Sequence, residues 1–162
     1  QLFGMPQRVS ADICILRDGG ESDDAFEVTL HYAAITVKVG SSPFEAGPTL
    51  RYALQGTKGS YRKYHLDPQE NQLKAGLPFD DPDWSVAPAP QHGRLYLADE
   101  SKLVATLNGG YTTFYRQLAM ALETNNAKML PASGQSVVAV IRLIELARLA
   151  SEQQQTLSVE CI

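Results

Sequence analysis

Cysteine is nearly missing from this chain: Cys14 and Cys161 are the only two in 162 residues, and neither has a partner at metal-ligand spacing. That excludes a zinc cluster or a disulfide framework as the organising device, and two thiols so far apart read as the reduced cysteines of a cytoplasmic protein. Long apolar runs are absent as well. None reaches the roughly 18 residues of a membrane-spanning helix, and no charged-then-apolar N-terminal segment marks a signal peptide. Positive charge is in short supply: 14 Lys and Arg stand against 18 Asp and Glu, a net charge of −4, and the basic residues are scattered apart from Arg62-Lys63. Nucleic acid is therefore not an expected partner. Neither the dinucleotide fingerprint GxGxxG nor the nucleophile elbow GxSxG occurs.

What is present looks like a folded domain. The hydrophobic fraction of 44% and charged fraction of 20% are ordinary for a globular chain, and the length suits one domain with a real core. The chain opens QLFGMP without an initiator methionine. Leu2-Phe3 before Gly4 has the pattern of a last helical turn meeting its C-terminal glycine, so a longer protein is expected.

The first half reads as strands. Val9, Ala11, Ile13 and Ile15 alternate with polar neighbours from Arg8 to Arg17, and Asp18-Gly19-Gly20 turns the chain. Asp24 to Tyr32 alternates again, Ile35 to Val39 follows, and Leu50, Tyr52 and Leu54 share a face of a fourth strand. The compact GTKGS at 56–60 raises the question of a phosphate loop. A P-loop needs four residues between its first glycine and the GK[ST], and it must open a helix. Here Thr57 and Lys58 alone separate Gly56 from Gly59, and a strand pattern follows, so this is a hairpin turn whose glycines accept positive φ.

After Leu66 the texture changes. Asp67 is placed to cap a short helix that has Pro68 at its first position and stops at Gly76. A long loop carrying Pro78, Pro82, Pro88 and Pro90 surrounds the single tryptophan, Trp84. A segment of this kind is either a functional lid or a surface wrap pinned by that tryptophan. Further short strands are expected near 95–97, 103–107 and 156–159. A helix is predicted over 112–123, with Phe114, Leu118, Ala121 and Leu122 on one face. A longer one, capped by Ser133, is predicted over about 134–153, with Val137, Val140, Ile141 and Ile144 as its buried stripe. The fold class is α+β: an antiparallel or mixed open sheet with helices packed on one face.

No complete catalytic set and no metal site is visible. His31 and His65 fall within strands and His92 in the proline-rich loop, none paired at ligand spacing, and the acidic pairs Asp23-Asp24 and Asp80-Asp81 read as solvated loop residues. The most interesting group is Tyr61, Lys63 and His65, alternate residues on one strand face, with Asp67 just beyond. Such a face can hydrogen-bond a polyhydroxylated ligand, and a lysine can polarise a carbonyl. It is equally the composition of an exposed sheet edge.

Four stretches together carry a resemblance: DAFEVTLHY (24–32), YALQGTKGSYRKYHLDPQENQLKAG (52–76), GGYTTFYRQLAMAL (109–122) and VVAVIRLIELARLAS (137–151). In this order they resemble the C-terminal domain of the glucose–fructose oxidoreductase, inositol dehydrogenase and rhizopine-catabolism (Gfo/Idh/MocA) family, over nearly the whole chain. The resemblance implies that residues 1–162 form the C-terminal domain of a two-domain dehydrogenase. Its Rossmann domain, which binds NAD or NADP and supplies a Glu-Lys-Pro lysine, would be absent from this chain. The family's Asp-x-x-x-His motif would lie just before Gln1. No catalytic, cofactor-binding or metal-binding residue is then expected here, and no cofactor is expected to bind this fragment. The resemblance further implies a sugar or polyol substrate and homo-oligomers joined through the sheet. Substrate contacts are expected at Lys63, Tyr61, His65 and Asp67, with Tyr111 at the start of the GGY segment. A free-standing, non-catalytic binding or oligomerisation module is the alternative, since one architecture hosts several functions.

Overall fold

The computed structural model describes residues 2–159. In chain order the elements are β1 (Arg8–Cys14), β2 (Ala25–His31), β3 (Thr36–Ser41), β4 (Tyr52–Gly56) and β5 (Gly59–Lys63), then helix α1 (Gln69–Lys74). Strands β6 (Gly93–Tyr96) and β7 (Ser101–Val104) follow, then α2 (Tyr111–Glu123), α3 (Gly134–Gln153) and β8 (Leu157–Ser158). Single 3-10 turns lie at Ala89–Gln91 and Ala127–Met129. The α+β class holds and every strand pairing is antiparallel, but the strands form two four-stranded sheets, β3-β2-β1-β8 and β4-β5-β6-β7. Period-two alternation finds strands without naming their partners, which is why a single sheet is the simplest expectation from sequence. The chain divides into two compact units: residues up to Glu45 together with those from Ala132 onward, and Ala46–Pro131 between them.

In the first unit the register pairs Val9 with Leu30, Ala11 with Val28 and Ile13 with Phe26, and then Val28 with Val39. Apolar side chains thus fall on one face, and Ser10, Asp12, Glu27, Thr29 and Lys38 on the other. Val9, with no exposure, anchors the apolar face. Its complete burial contributes about 1.5–3 kcal/mol. Helix α3 packs on β1. Ser133 Oγ caps it by accepting from Ser136 N at 3.2 Å, and near its C-terminal end Ser151 Oγ accepts from Ile13 N at 2.8 Å. The packed stripe differs from the one expected from sequence. Val137, Val140, Ile141 and Ile144 remain at 50–57% exposure, while Ala147 and Ala150 are buried and Ala139, Leu143, Leu146 and Ser151 are half-buried. This helix carries two apolar stripes, and the one rich in alanine allows the closer approach to a strand.

The β1–β2 connection is held by Asp24. Its carboxylate accepts from Leu16 N at 2.8 Å, Arg17 N at 3.3 Å and Arg17 Nε at 2.7 Å. The Arg17 guanidinium, followed by the Leu16 amide, holds the Asp24 carboxyl below its ordinary pKa of 3.8. A carboxyl whose pKa is depressed by folding contributes stability that is present above its unfolded pKa and disappears as pH falls through the folded value. Asp24→Asn is therefore expected to unfold at a lower temperature than wild type at neutral pH. The gap should close when the melts are repeated in increasingly acid buffers; a gap independent of pH would contradict this role.

In the second unit, Gly56 pairs with Gly59 around Thr57-Lys58, so GTKG is a two-residue hairpin loop and not a phosphate loop. Neither glycine has positive φ, however, contrary to the sequence expectation. Gly59 is required for space: a Cβ there would come within 2.5 Å of the Tyr96 carbonyl oxygen on β6. Asp67 Oδ1 accepts from Gln69 N at 2.9 Å at the start of α1, and Gly76 ends that turn with φ +78°. The proline-rich loop is pinned as a wrap. Trp84 is buried edge-to-face on Phe79 at 4.8 Å. Gln72 grips the chain on both sides of it, donating to Asp83 O at 2.9 Å and accepting from Ser85 N at 2.8 Å. On α2, Ala121 is buried and Leu118 half-buried, but Phe114 and Leu122 of the expected face stay exposed. Cys14 is exposed; Cys161 lies outside the described residues. No helix among the described residues is long and apolar enough to cross a membrane.

Candidate functional site

The second unit gathers polar side chains at one corner, where the end of β5, the start of α1 and the start of α2 meet. Alternation along β5 places Tyr61 and Lys63 on one face. Lys63 is 7% exposed, and its Nζ donates to Gln91 O at 2.6 Å and Thr106 Oγ1 at 3.1 Å. Its stem ends β5, and its ammonium joins the end of the proline-rich loop to the segment leading into α2. Burial lowers its pKa below the ordinary 10.5, and the charge of Asp67 acts in the opposite sense. Lys63 is thus buried, with its ammonium engaged by two protein oxygens.

Asp67 is half-buried. Its Oδ1 holds the Gln69 amide, and its Oδ2 lies against Gly109, where an added Cβ would fall on that oxygen and on Gln69 Nε2. Gln69 is 2% exposed, and its Oε1 accepts from Tyr111 N at 3.0 Å. Asp67, Gln69 and the first residue of α2 are therefore one connected set, and that residue, Tyr111, is 43% exposed. Tyr61 is half-buried, and its ring lies over Gly93 so closely that no Cβ fits there. His65 stands apart: it lies beyond the end of β5 and is exposed. His31 bonds Ser10 Oγ at 3.2 Å and His92 bonds Ala87 O at 3.0 Å, both structural contacts.

Of the five residues expected to contact substrate, the structure brings Lys63, Asp67 and Tyr111 to one corner, keeps Tyr61 on β5 with Lys63, and leaves His65 exposed past the end of that strand. Sequence reasoning missed Gln69, Gly109, Thr106 and Gln91. The glycine doublet ahead of α2 was the one available signal for Gly109. Nothing in a linear pattern ties Gln69 to a residue 42 positions away.

A separate open hollow of about 430 Å³ beside the GTKG hairpin is lined by Gly56, Thr57, Lys58, Gly59, Leu95 and Leu97. Its lining offers one ammonium and no helix N-terminus, so it does not fit a dinucleotide's phosphates. Among the described residues no group of three or more His, Cys, Asp or Glu is placed to hold a metal ion.

The chain belongs to the Gfo/Idh/MocA oxidoreductase family: the family model "Oxidoreductase family, C-terminal alpha/beta domain" matches residues 1–160. It is 33% identical to scyllo-inositol 2-dehydrogenase (NADP(+)) IolW of Bacillus subtilis, over 98% of this chain and 45% of that protein. It is 32% identical to the uncharacterized oxidoreductase YdgJ of Escherichia coli, over 96% of this chain and 45% of that protein. The solved structure of yvaA from Bacillus subtilis superposes with a TM-score of 0.90 at 31% identity, covering 98% of this chain and 46% of that one. The chain thus spans about half the length of the curated relatives it matches.

Proposed function

We propose that this chain is the substrate-side part of a cytoplasmic NAD(P)-dependent dehydrogenase acting on a hydroxyl-bearing carbon of a sugar or polyol. The observation that carries the reading is the Asp67–Gln69–Tyr111 corner. It leaves Asp67 Oδ2 as a hydroxyl acceptor and links it through Gln69 to Tyr111, a residue 43% exposed, in a domain of an oxidoreductase family. Support for the substrate class comes from the similarity to a protein named as a scyllo-inositol dehydrogenase. Asp67, Tyr111 and Tyr61 then form part of the pocket wall, and Lys63 braces it from behind. His65, exposed past the strand, is assigned to the rim.

The nicotinamide cofactor and the catalytic base are assigned to other parts of the whole protein, and the hollow beside the GTKG hairpin does not fit a dinucleotide's phosphates. The cofactor supplies the hydride acceptor, and this chain's residues bind and orient the polyol. Copies of the whole protein are assigned to join through the sheet.

The test uses the longest natural protein that carries this chain. It is expected to reduce NAD(+) or NADP(+) with at least one of scyllo-inositol, myo-inositol and glucose, while residues 1–162 alone turn over none. Turnover by the isolated chain, or no turnover of any sugar or cyclitol by the whole protein, would overturn the reading.

A further inference from the structure

A glutamine with 2% exposure is an unusual element of a loop-rich corner. A buried amide is costly to hold unless its donors and acceptors are matched. Gln69 is tied at two points: its backbone N–H donates to Asp67 Oδ1 at 2.9 Å and its Oε1 accepts from Tyr111 N at 3.0 Å. Its Nε2 faces the Cα of Gly109, where a side chain would collide with both that nitrogen and the Asp67 carboxylate. One residue therefore joins the carboxylate, through its backbone N–H, to the first amide of α2, through its side chain, across 42 residues of sequence. Gly110, the N-cap position of α2, has no side chain with which to cap, so the Gln69 carbonyl oxygen takes the place of a local cap on the Tyr111 amide.

We infer that Gln69 is a positioning residue of the substrate site: it fixes the separation between the Asp67 carboxylate and Tyr111, and thereby which hydroxyls of a polyol can be met together. This rests on the reading that Asp67 and Tyr111 wall the substrate pocket. If Gln69 merely filled space, an apolar side chain of equal length would serve as well, and any loss would affect stability alone. If it positions, losing the acceptor shifts Tyr111 relative to Asp67 and weakens the polyol specifically. A misplacement near 1 Å lowers turnover by up to about 100-fold in oriented sites.

Two variants in the longest natural protein carrying this chain separate these cases, with scyllo-inositol and NADP(+) as probes. Gln69→Met removes the acceptor at constant length. Gln69→Glu keeps an acceptor for Tyr111 N but, when ionised, sets a second carboxylate beside Asp67; protonated, it restores a neutral side chain. The expected result for Gln69→Met is a KM for scyllo-inositol raised about tenfold or more, with the KM for NADP(+) within about twofold of wild type. For Gln69→Glu, kcat/KM for the polyol relative to wild type at the same pH should recover as pH falls, a signature that simple loss of packing does not produce. An unchanged polyol KM in both variants would overturn the inference. So would a parallel rise of both KM values without pH-dependent recovery. A wild-type protein without polyol turnover would remove the functional reading itself, and this inference with it, whereas active wild type with indifferent variants would remove the inference alone.

Discussion

Gly109→Ala is expected to disrupt the site strongly with a single methyl group. The new Cβ would fall on the Asp67 carboxylate and the Gln69 amide, and Gln69, at 2% exposure, has nowhere to retreat. Overpacking of this kind costs about 1–3 kcal/mol. In a protein of this size that lowers the melting temperature by roughly 2–4 °C per kcal/mol. The catalytic effect should be larger, because relief of the clash has to move the carboxylate or the start of α2: kcat/KM for the polyol is expected to fall about 100-fold. Gly110 provides the control. A Cβ there meets Thr113 at 3.3 Å, a contact that a small adjustment relieves. Gly110→Ala should thus stay within about 1 kcal/mol of wild type, the usual range for exchanges at a helix N-cap. Equal behaviour of the two variants in thermal unfolding and polyol kinetics would show that the corner is not packed as described.

Lys63→Met is the second large effect, and it is one of stability. The methionine fills the stem's volume but leaves the Gln91 carbonyl without its donor and Thr106 Oγ1 without its partner. An unsatisfied buried acceptor costs about 1–3 kcal/mol, partly offset because a buried charge has also been removed. A net loss of about 2 kcal/mol is expected, read as the shift in a urea midpoint at pH 7. The pH dependence has a definite sign. Burial depresses the Lys63 pKa below 10.5. Below the folded pKa the lysine is charged in both states, and the full penalty of burying that charge is present. As pH rises through the folded value towards 10.5, the folded state releases its proton first, the unfolded state binds more protons, and wild-type stability rises. The methionine variant lacks this gain, so the gap between the two should widen on the alkaline side. A gap that does not change there would place the ammonium in solvent, and one that narrows would mean that the fold favours the charged form.

Much of the fold is legible in the sequence because local patterns dictate it. The alternation from Arg8 and from Asp24 gives β1 and β2, and the spacing of Gly56 and Gly59 gives a hairpin where a phosphate loop might have been suspected. Ser133 marks the start of α3 and the asparagines at 125 and 126 mark the end of α2. Three features depend on long-range packing and escape such reading. The α3 stripe that meets β1 runs through Ala147 and Ala150 and not through the valines and isoleucines, because close helix–strand approach favours small residues. The strands divide between two sheets because pairing depends on partners, not on period. Gly59 is there to clear a neighbouring carbonyl and not for its φ, a constraint that appears only when β6 is in place.

The site shows the same division. Lys63 and Tyr61 stand out from the sequence because alternate polar residues on a strand are visible as a pattern, and Asp67 because it precedes a helix-starting proline. Their roles separate only in three dimensions: Lys63 proves buried and engaged, Asp67 keeps an oxygen against Gly109, and His65 falls outside the corner. Gln69 gives no sign in sequence, since its partner Tyr111 follows two strands and the proline-rich loop.

The most direct test of the central claim is the pair of KM values for Asp67→Asn in the longest natural protein that carries this chain, measured with scyllo-inositol and NADP(+). Asparagine keeps the size and an acceptor for Gln69 N but removes the carboxylate from the pocket wall. The polyol KM is expected to rise about tenfold or more, with the NADP(+) KM within about twofold of wild type. An unchanged polyol KM in a normally folded variant would contradict it, and would place the substrate away from this corner.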